Sequence, residues 1–263
     1  MKLFDRLIRP IERYGLMYTL IRLFNKIFEG KIKQFSDIKK HFKDKIGIEI
    51  GGPSEVFRPF SYIPIYKYIK QLDGVNFSNN TIWEGNISSG YNYNYYNGKF
   101  GRQYIMDATV LSGIDSNKYD FLISSNCLEH IANPIKAIKE WERVLKPGGH
   151  LLILVPNNKI GLDINRDITK FDHILNDFRE NVSEDDLTHL EEVLEKHNLK
   201  EDIEAIDFEH FKNRSIDNFN HRTIHHHVFD VNLVKELFSF LNFEILLLDD
   251  KHAFVTILAK KQL

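Results

Sequence analysis

Apolar and polar positions alternate along the chain in two periods, one typical of strands and one typical of helices. Ile46, Ile48 and Ile50 follow the two-residue period of a buried strand that ends at Gly51-Gly52. Further strands are predicted at residues 74–78, 104–109, 119–124, 151–155, 243–248 and 253–258. Amphipathic helices are predicted at residues 134–145 and 231–241. This order predicts an α/β fold, and the short link between the last two strands predicts an antiparallel pair at the sheet edge.

Three segments depart from this alternation. Residues 1–44 are amphipathic, with a basic face. We expect helices there that pack on the main domain or on a partner in a homodimer. The alternative is contact between these helices and a membrane surface. Residues 158–224 are polar and too long for an ordinary connection, which favours a helical insertion or lid. Residues 85–103 are rich in Asn, Tyr and Gly and predict a surface loop. The core would then comprise residues 45–157 and 225–263.

The turn after the first strand is the first candidate for a binding site. Glycine adopts backbone angles that other residues avoid, and it lets a ligand approach the main chain. Because ligands of open α/β sheets bind beyond the carboxyl ends of the strands, Gly51 and Gly52 predict a cradle for a nucleotide-like cofactor, with an ordinary turn as the alternative. A ribose-binding group is expected about 20 residues beyond such a loop. Asn76 is well placed for that contact, and Asp73 and Glu84 are the alternatives.

Composition and charge narrow the class of protein. The 263 residues include 35 Lys and Arg against 37 Asp and Glu, and the net charge of −2 argues against a dedicated nucleic-acid binder. Cys127 is the one cysteine, so an intrachain disulfide is excluded. No apolar run approaches the roughly 20 residues of a membrane span. We therefore expect a cytoplasmic protein that binds small molecules.

Five segments, taken in order, resemble the class I S-adenosylmethionine-dependent methyltransferases: Glu49–Ser54, Asp107-Ala108, Tyr119–Phe121, Leu128–Ile131 and Arg143–Gly149. The likeness is closest to the small-molecule, methyltransferase type 11-like branch, which shares the Leu-Glu-His and Leu-Lys-Pro-Gly-Gly signatures. The resemblance covers residues 45–157 well. It implies a Rossmann-like, seven-stranded, mostly parallel sheet with an antiparallel last strand, and S-adenosyl-L-methionine as the cofactor.

The resemblance also assigns cofactor-binding roles. The methionine end would contact Glu49, Gly51, Gly52 and Asn126, the ribose would contact Asn76, and the adenine would contact Phe77, Asp107 and Ala108. The chain departs from the family pattern in two places, because Asn76 replaces the usual acid and Gly52-Pro53-Ser54 replaces the usual Gly-x-Gly turn. A nicotinamide cofactor fits less well, because the third glycine of its phosphate-binding loop is missing here.

Histidines are the candidates for catalysis. Methyl transfer requires an aligned acceptor, and a hydroxyl acceptor also benefits from a base that titrates near neutrality. His130 follows the fourth strand, where the family has its active site, although a packing role is equally open. His225, His226 and His227 lie before the last helix, and we take His226 as the second catalytic candidate, with a polar loop as the alternative.

The insertion supplies the candidates for acceptor binding. His189 and Arg222, together with His225, are interpreted as groups that grip an anionic acceptor, with a solvated surface as the alternative. No metal site is predicted, because adjacent histidines of an extended segment point in opposite directions and no established zinc motif is present. Four residues of the insertion would be available as additional ligands: Asp163, His173, Asp177 and His189.

The chain is therefore interpreted as a methyltransferase. The predicted reaction is O-methylation of a small polar acceptor such as a sugar or a surface-polysaccharide intermediate, by analogy with similar enzymes of glycan gene clusters. The alternatives are N- or O-methylation of a lipid or quinone precursor at a membrane surface, and a non-catalytic scaffold that retains the fold.

Overall fold

The computed structural model describes residues 30–251 and 253–263, so most of the predicted N-terminal helices lie outside the described residues. The strands are β1 (Ile46–Ile50), β2 (Gln71–Asn76), β3 (Asn80–Thr81), β4 (Gly85–Asn86), β5 (Gly90–Tyr96), β6 (Lys99–Ile105), β7 (Tyr119–Ser125), β8 (Leu145–Pro156), β9 (Glu244–Asp249) and β10 (Phe254–Lys260). The helices are α1 (Phe35–Lys40), α2 (Pro134–Val144), α3 (Phe171–Arg179), α4 (Leu190–Lys196), α5 (Phe208–Ile216), α6 (Asn218–His221) and α7 (Val231–Phe240).

Eight strands form one sheet in the order β5-β6-β2-β1-β7-β8-β10-β9. The five strands from β6 to β8 are parallel. β10 is antiparallel to both β8 and β9, and the short final hairpin is therefore confirmed. The predicted Rossmann-like fold is confirmed, and β5 adds an eighth strand at the opposite edge, antiparallel to β6.

The prediction of a surface loop at residues 85–103 is wrong. Most of this segment forms the β5–β6 hairpin, which turns at Asn97-Gly98. Both turn residues have positive φ angles, 39° and 73°, and Asn-Gly is a strong hairpin signal. Tyr93 and Tyr95 are each 2% exposed, so their side chains belong to the core. The burial of these aromatic rings explains why a segment of loop-like composition is a strand.

The sheet is covered on both faces. Along β8, Leu151, Ile153 and Val155 pack on the side of α2 and α7. Leu152 and Leu154 pack on the other side, with α1 and residues 57–69. This arrangement confirms the central parallel strand that the continuous apolar run predicts.

Four helices lie between β8 and α7. Val193, Ala205, Phe211 and Ile224 form a small apolar cluster of their own in this part of the chain. α3 is attached to the core, because the Asn133 side chain donates to the Asp177 carbonyl at 2.9 Å. None of the helices in the described ranges combines the length and apolar character that crossing a membrane requires.

Candidate active site

A cavity of about 630 Å³ opens at the carboxyl ends of β1, β2, β6 and β7. This volume is in the range of small-molecule sites. The lining residues include eight of the predicted site residues: Gly51, Asn76, Phe77, Asp107, Ala108, Asn126, His130 and Arg222. Five others are not among the described lining residues: Glu49, Gly52, His189, His225 and His226. The glycine turn and Asp107 therefore face the same cavity.

Glu49 is buried behind the glycine turn. Its carboxylate accepts hydrogen bonds from the Ser54 amide at 3.0 Å and from the Tyr66 and Tyr93 hydroxyls, each at 2.7 Å. Burial raises the pKa of Glu49, and these donors counteract part of the rise. A Cβ atom on Gly52 would lie 2.2 Å from the Glu49 carboxyl carbon, so the turn requires glycine. Glu49 thus shapes the turn from behind.

Asn76 connects the glycine turn to a neighbouring tryptophan. Its Nδ2 donates to the Gly52 carbonyl oxygen at 2.9 Å, and Trp83 Nε1 donates to its Oδ1 at 3.1 Å. Asn76 is 2% exposed. The ring centroids of Phe77 and Trp83 lie 5.8 Å apart and form an aromatic wall. The predicted contact between Asn76 and a ribose stays a prediction, and Trp83 is an additional lining residue that the sequence analysis missed.

Arg222 reaches from the insertion to the predicted adenine side of the cavity. Its Nη2 donates to Asp107 Oδ2 at 3.1 Å, and its Nη1 lies 2.9 Å from Glu184 Oε2. The guanidinium carbon lies 5.1 Å from the centroid of the Phe77 ring. Burial raises the pKa of Asp107, but hydrogen bonds from Thr109 and the charge of Arg222 outweigh burial and lower it overall. The sequence analysis interpreted Arg222 as a residue that binds an anionic acceptor, and it did not identify Glu184 as a lining residue.

His130 lies on the wall of the cavity, in a 3-10 turn at Leu128–His130. Its Nδ1 is 3.1 Å from the Ile224 carbonyl oxygen, which can only accept, so Nδ1 carries the proton. Burial and then the neighbouring His225 hold the pKa of His130 well below its usual value. The ring is therefore neutral near pH 7, and its Nε2 presents a lone pair.

His225 lies behind His130, outside the cavity lining. The two rings are in edge contact, with centroids 4.5 Å apart. His225 Nδ1 is hydrogen-bonded to the Asp163 carboxylate, and Arg166 Nη1 donates to the other oxygen of Asp163 at 2.9 Å. Burial lowers the pKa of His225, but the charge of Asp163 outweighs burial and raises it. Glu129, whose pKa burial raises to about 7, has Oε1 4.0 Å from His130 Nε2.

His226 and His189 point into the insertion. His226 is 1% exposed, and its Nε2 lies 3.2 Å from Asn218 Nδ2. His189 Nε2 lies 3.0 Å from His173 Nε2. The three adjacent histidines thus reach three different sets of neighbours, and of them His225 alone contacts His130.

The chain is similar to known methyltransferases in its family model and in its fold. A family model described as a methyltransferase domain matches residues 24–247. An S-adenosylmethionine-dependent methyltransferase from Mesorhizobium loti is similar in structure, with 11% identity, 86% of this chain and 95% of that chain covered, and a TM-score of 0.50. A methyltransferase of the same description from Aquifex aeolicus has 11% identity, coverage of 87% and 89%, and a TM-score of 0.47. A comparison with curated proteins finds no match.

At 11% identity, the likeness to these two structures concerns the fold alone. The assignment to a family therefore rests on the match to the family model. That match extends over most of the chain and includes every strand that borders the cavity. The chain belongs to the methyltransferase-domain family, is an enzyme of methyl transfer, and has S-adenosylmethionine as its expected cofactor.

Proposed function

We propose that the chain methylates a hydroxyl oxygen of a small polar acceptor, such as a sugar or a surface-polysaccharide intermediate, with His130 as the general base. When bound, S-adenosylmethionine supplies a methyl group that its sulfonium already activates. The observation that carries the proposal is the place of His130, whose neutral ring borders the same cavity as the glycine turn.

The residues of the cavity fit the cofactor. Gly51 lines the cavity with a φ angle of 80°. A Cβ atom there would lie 3.2 Å from Cys127 Sγ, so a side chain at this position would be crowded and strained. Phe77 and Trp83 supply apolar ring surface for a purine, as aromatic side chains do in many ligand sites. Asn126, in the left-handed conformation with a φ angle of 50°, supplies an amide to the same wall.

The protein's part in the chemistry is to position an acceptor hydroxyl and to remove its proton. The Ile224 carbonyl holds the proton of His130 on Nδ1, so Nε2 is ready to accept the proton that leaves the hydroxyl. The lowered pKa keeps this form available at neutral pH. His226 does not border the cavity, and we therefore assign the base role to His130 alone.

The rim of the cavity supports an acceptor with both apolar faces and hydroxyl groups. Phe60 is 95% exposed there, and Tyr62, Ser54 and Ser61 are further lining residues. A sugar presents C–H faces to aromatic rings and hydroxyl groups to polar side chains.

Two measurements on the full chain test the proposal. Isothermal titration with S-adenosylmethionine should show binding, and no binding would favour the scaffold alternative. A panel of nucleotide sugars and oligosaccharides should then include an acceptor that yields S-adenosylhomocysteine. With that acceptor, His130→Ala should lower turnover by about 10²–10⁴-fold while the affinity for S-adenosylmethionine stays within about twofold.

The matched control is His210→Ala, because His210 is an exposed histidine on α5. This variant should keep wild-type turnover. The wild-type rate should also stay level from neutral pH down to the ordinary histidine pKa of about 6.5, because the pKa of His130 is lowered. Wild-type turnover in His130→Ala would rule out the base role and leave the methyltransferase assignment intact.

A further inference from the structure

A second group of histidines lies outside the active-site cavity. His173 on α3, His189 just before α4 and His227 just before α7 each have one ring nitrogen within 4.8 Å of those of the other two. Asp177, one helical turn after His173, adds a carboxylate to the same side of α3. We call these four residues the insertion histidine cluster.

The distances in the cluster match the edges of a metal coordination sphere. His173 Nε2 lies 3.0 Å from His189 Nε2 and 3.4 Å from Asp177 Oδ2. Zinc ligands lie about 2.0–2.2 Å from the ion in a tetrahedron, which places pairs of ligand atoms about 3.3 Å apart. The same Asp177 oxygen lies 3.7 Å from His227 Nε2, so the carboxylate also borders the ring of His227. The three histidines therefore already converge, and Asp177 lies next to two of them as the fourth candidate ligand.

The cluster also contains buried polar atoms that lack a partner. Within the described residues, Asp177 Oδ2 and His227 Nδ1 are buried and accept no hydrogen bond. The His227 side chain is 1% exposed, and unsatisfied groups at that depth are costly. His227 Nε2 donates to the Ala132 carbonyl oxygen at 3.2 Å, which orients the ring and leaves Nδ1 as the nitrogen with a lone pair for an ion. A bound ion would supply a partner for these two lone pairs, which otherwise lack one.

We propose that the insertion histidine cluster binds a transition-metal dication of the Zn²⁺ type, with three imidazole nitrogens and one carboxylate oxygen as ligands. Imidazole and carboxylate together suit this class of ion. The His173 side chain is 40% exposed, which provides an entry path from solvent. The sequence analysis predicted no metal, because adjacent histidines diverge, and here His227 alone of the three joins the cluster.

The proposed ion would be structural. None of its four ligands is among the described residues that line the active-site cavity. The ligands come from three separate segments, so an ion would link α3, the turn before α4 and the segment before α7. A site closed by four protein ligands is typical of structural zinc.

Metal analysis of the full chain tests the proposal. The purified protein is stripped with a chelator, dialysed and titrated with ZnCl₂ alone, and bound zinc is measured by mass spectrometry. We expect one zinc per chain and a rise in the midpoint of thermal unfolding. His173→Gln and His189→Gln should each lower the affinity at least tenfold, and His210→Gln, on an exposed position of the same insertion, should not change it.

Two further measurements keep the test decisive. His130→Ala should retain zinc, because His130 lines the active-site cavity and is not one of the four cluster ligands. If the cluster variants do not fold, the visible spectrum of the wild-type protein with Co²⁺ tests for the site instead. A tetrahedral site gives intense d–d bands, and their absence would contradict the proposal. No zinc above the dialysis background, or undiminished zinc in both cluster variants, would overturn the proposal.

Discussion

The hydrogen bonds that surround Glu49 lead to a measurable prediction. Tyr93→Phe removes one hydroxyl that donates to Glu49 Oε2 at 2.7 Å and leaves the ring in place. The substitution separates two roles for this motif residue, contact with the cofactor and support of the glycine turn. If the carboxylate supports the turn, the loss should appear in the stability of the protein even without any ligand.

The magnitude follows from the burial of the carboxylate. A hydrogen bond to a charged group contributes about 1.5–3 kcal/mol, and Tyr66 still donates to the same oxygen in the variant. We therefore expect Tyr93→Phe to lower the free energy of unfolding by about 2 kcal/mol. Removal of both hydroxyls leaves Glu49 Oε2 without its two phenol donors, so the double variant should lose about 1 kcal/mol more than the sum of the single variants.

Urea unfolding at neutral pH measures these differences, and Tyr91→Phe is the matched control. Tyr91 lies on the same strand as Tyr93 but is 66% exposed, so its variant should change stability by less than about 0.5 kcal/mol. Loss of a donor raises the pKa of Glu49 in the folded state further. The destabilisation by Tyr93→Phe should therefore grow as the pH rises above the pKa of an unfolded glutamate, about 4.3.

The result that would refute this reasoning is a Tyr93→Phe variant within about 0.5 kcal/mol of the wild type. The Glu49 carboxylate would then not depend on this donor. Strict additivity in the double variant would refute a narrower point, that Tyr66 and Tyr93 share one oxygen atom.

Two more predictions concern close packing and pH. Gly52→Ala places a Cβ atom 2.2 Å from the Glu49 carboxyl carbon, so it should weaken S-adenosylmethionine binding at least tenfold in a titration, whereas Gly113→Ala should not. Burial and the neighbouring His41 lower the pKa of His150 to about 4. Because the folded pKa lies below the unfolded value of about 6.5, the contribution of His150, at most about 3 kcal/mol, is present above that pH and lost as the pH falls towards 4. His150→Phe should flatten this acid dependence in urea unfolding, and an unchanged slope would contradict it.

Local patterns predict most of the fold because they are set by neighbours along the chain. The Asn133-Pro134 pair begins α2 as expected, and the Asn133 side chain accepts from the Lys136 amide at 3.0 Å. The segment of β5 is different, because its Asn and Gly content is typical of loops. Its strand state depends on the burial of Tyr93 and Tyr95 against distant residues, and no local periodicity reports that burial.

The candidate site shows the same division. The glycine turn directly follows a predicted strand, and Asp107 lies within the predicted strand 104–109 and in a motif of the family resemblance, so local sequence identifies both. Arg222 reaches Asp107 across 115 positions of sequence, and that pairing depends on how the insertion folds back over the sheet. The separate directions of His225 and His227 likewise depend on partners that lie far from them in sequence.

One short segment, residues 222–227, connects the cavity to the insertion histidine cluster. Arg222 holds Asp107, the Ile224 carbonyl fixes the proton of His130, and His227 belongs to the cluster. The His226 amide donates to the Glu129 carbonyl at 2.8 Å, which fastens the segment to the turn that carries His130. Two residues separate Ile224, whose carbonyl sets the His130 tautomer, from His227, the proposed zinc ligand. An ion at the proposed site would restrain His227 and with it the backbone whose Ile224 carbonyl orients His130, the proposed base.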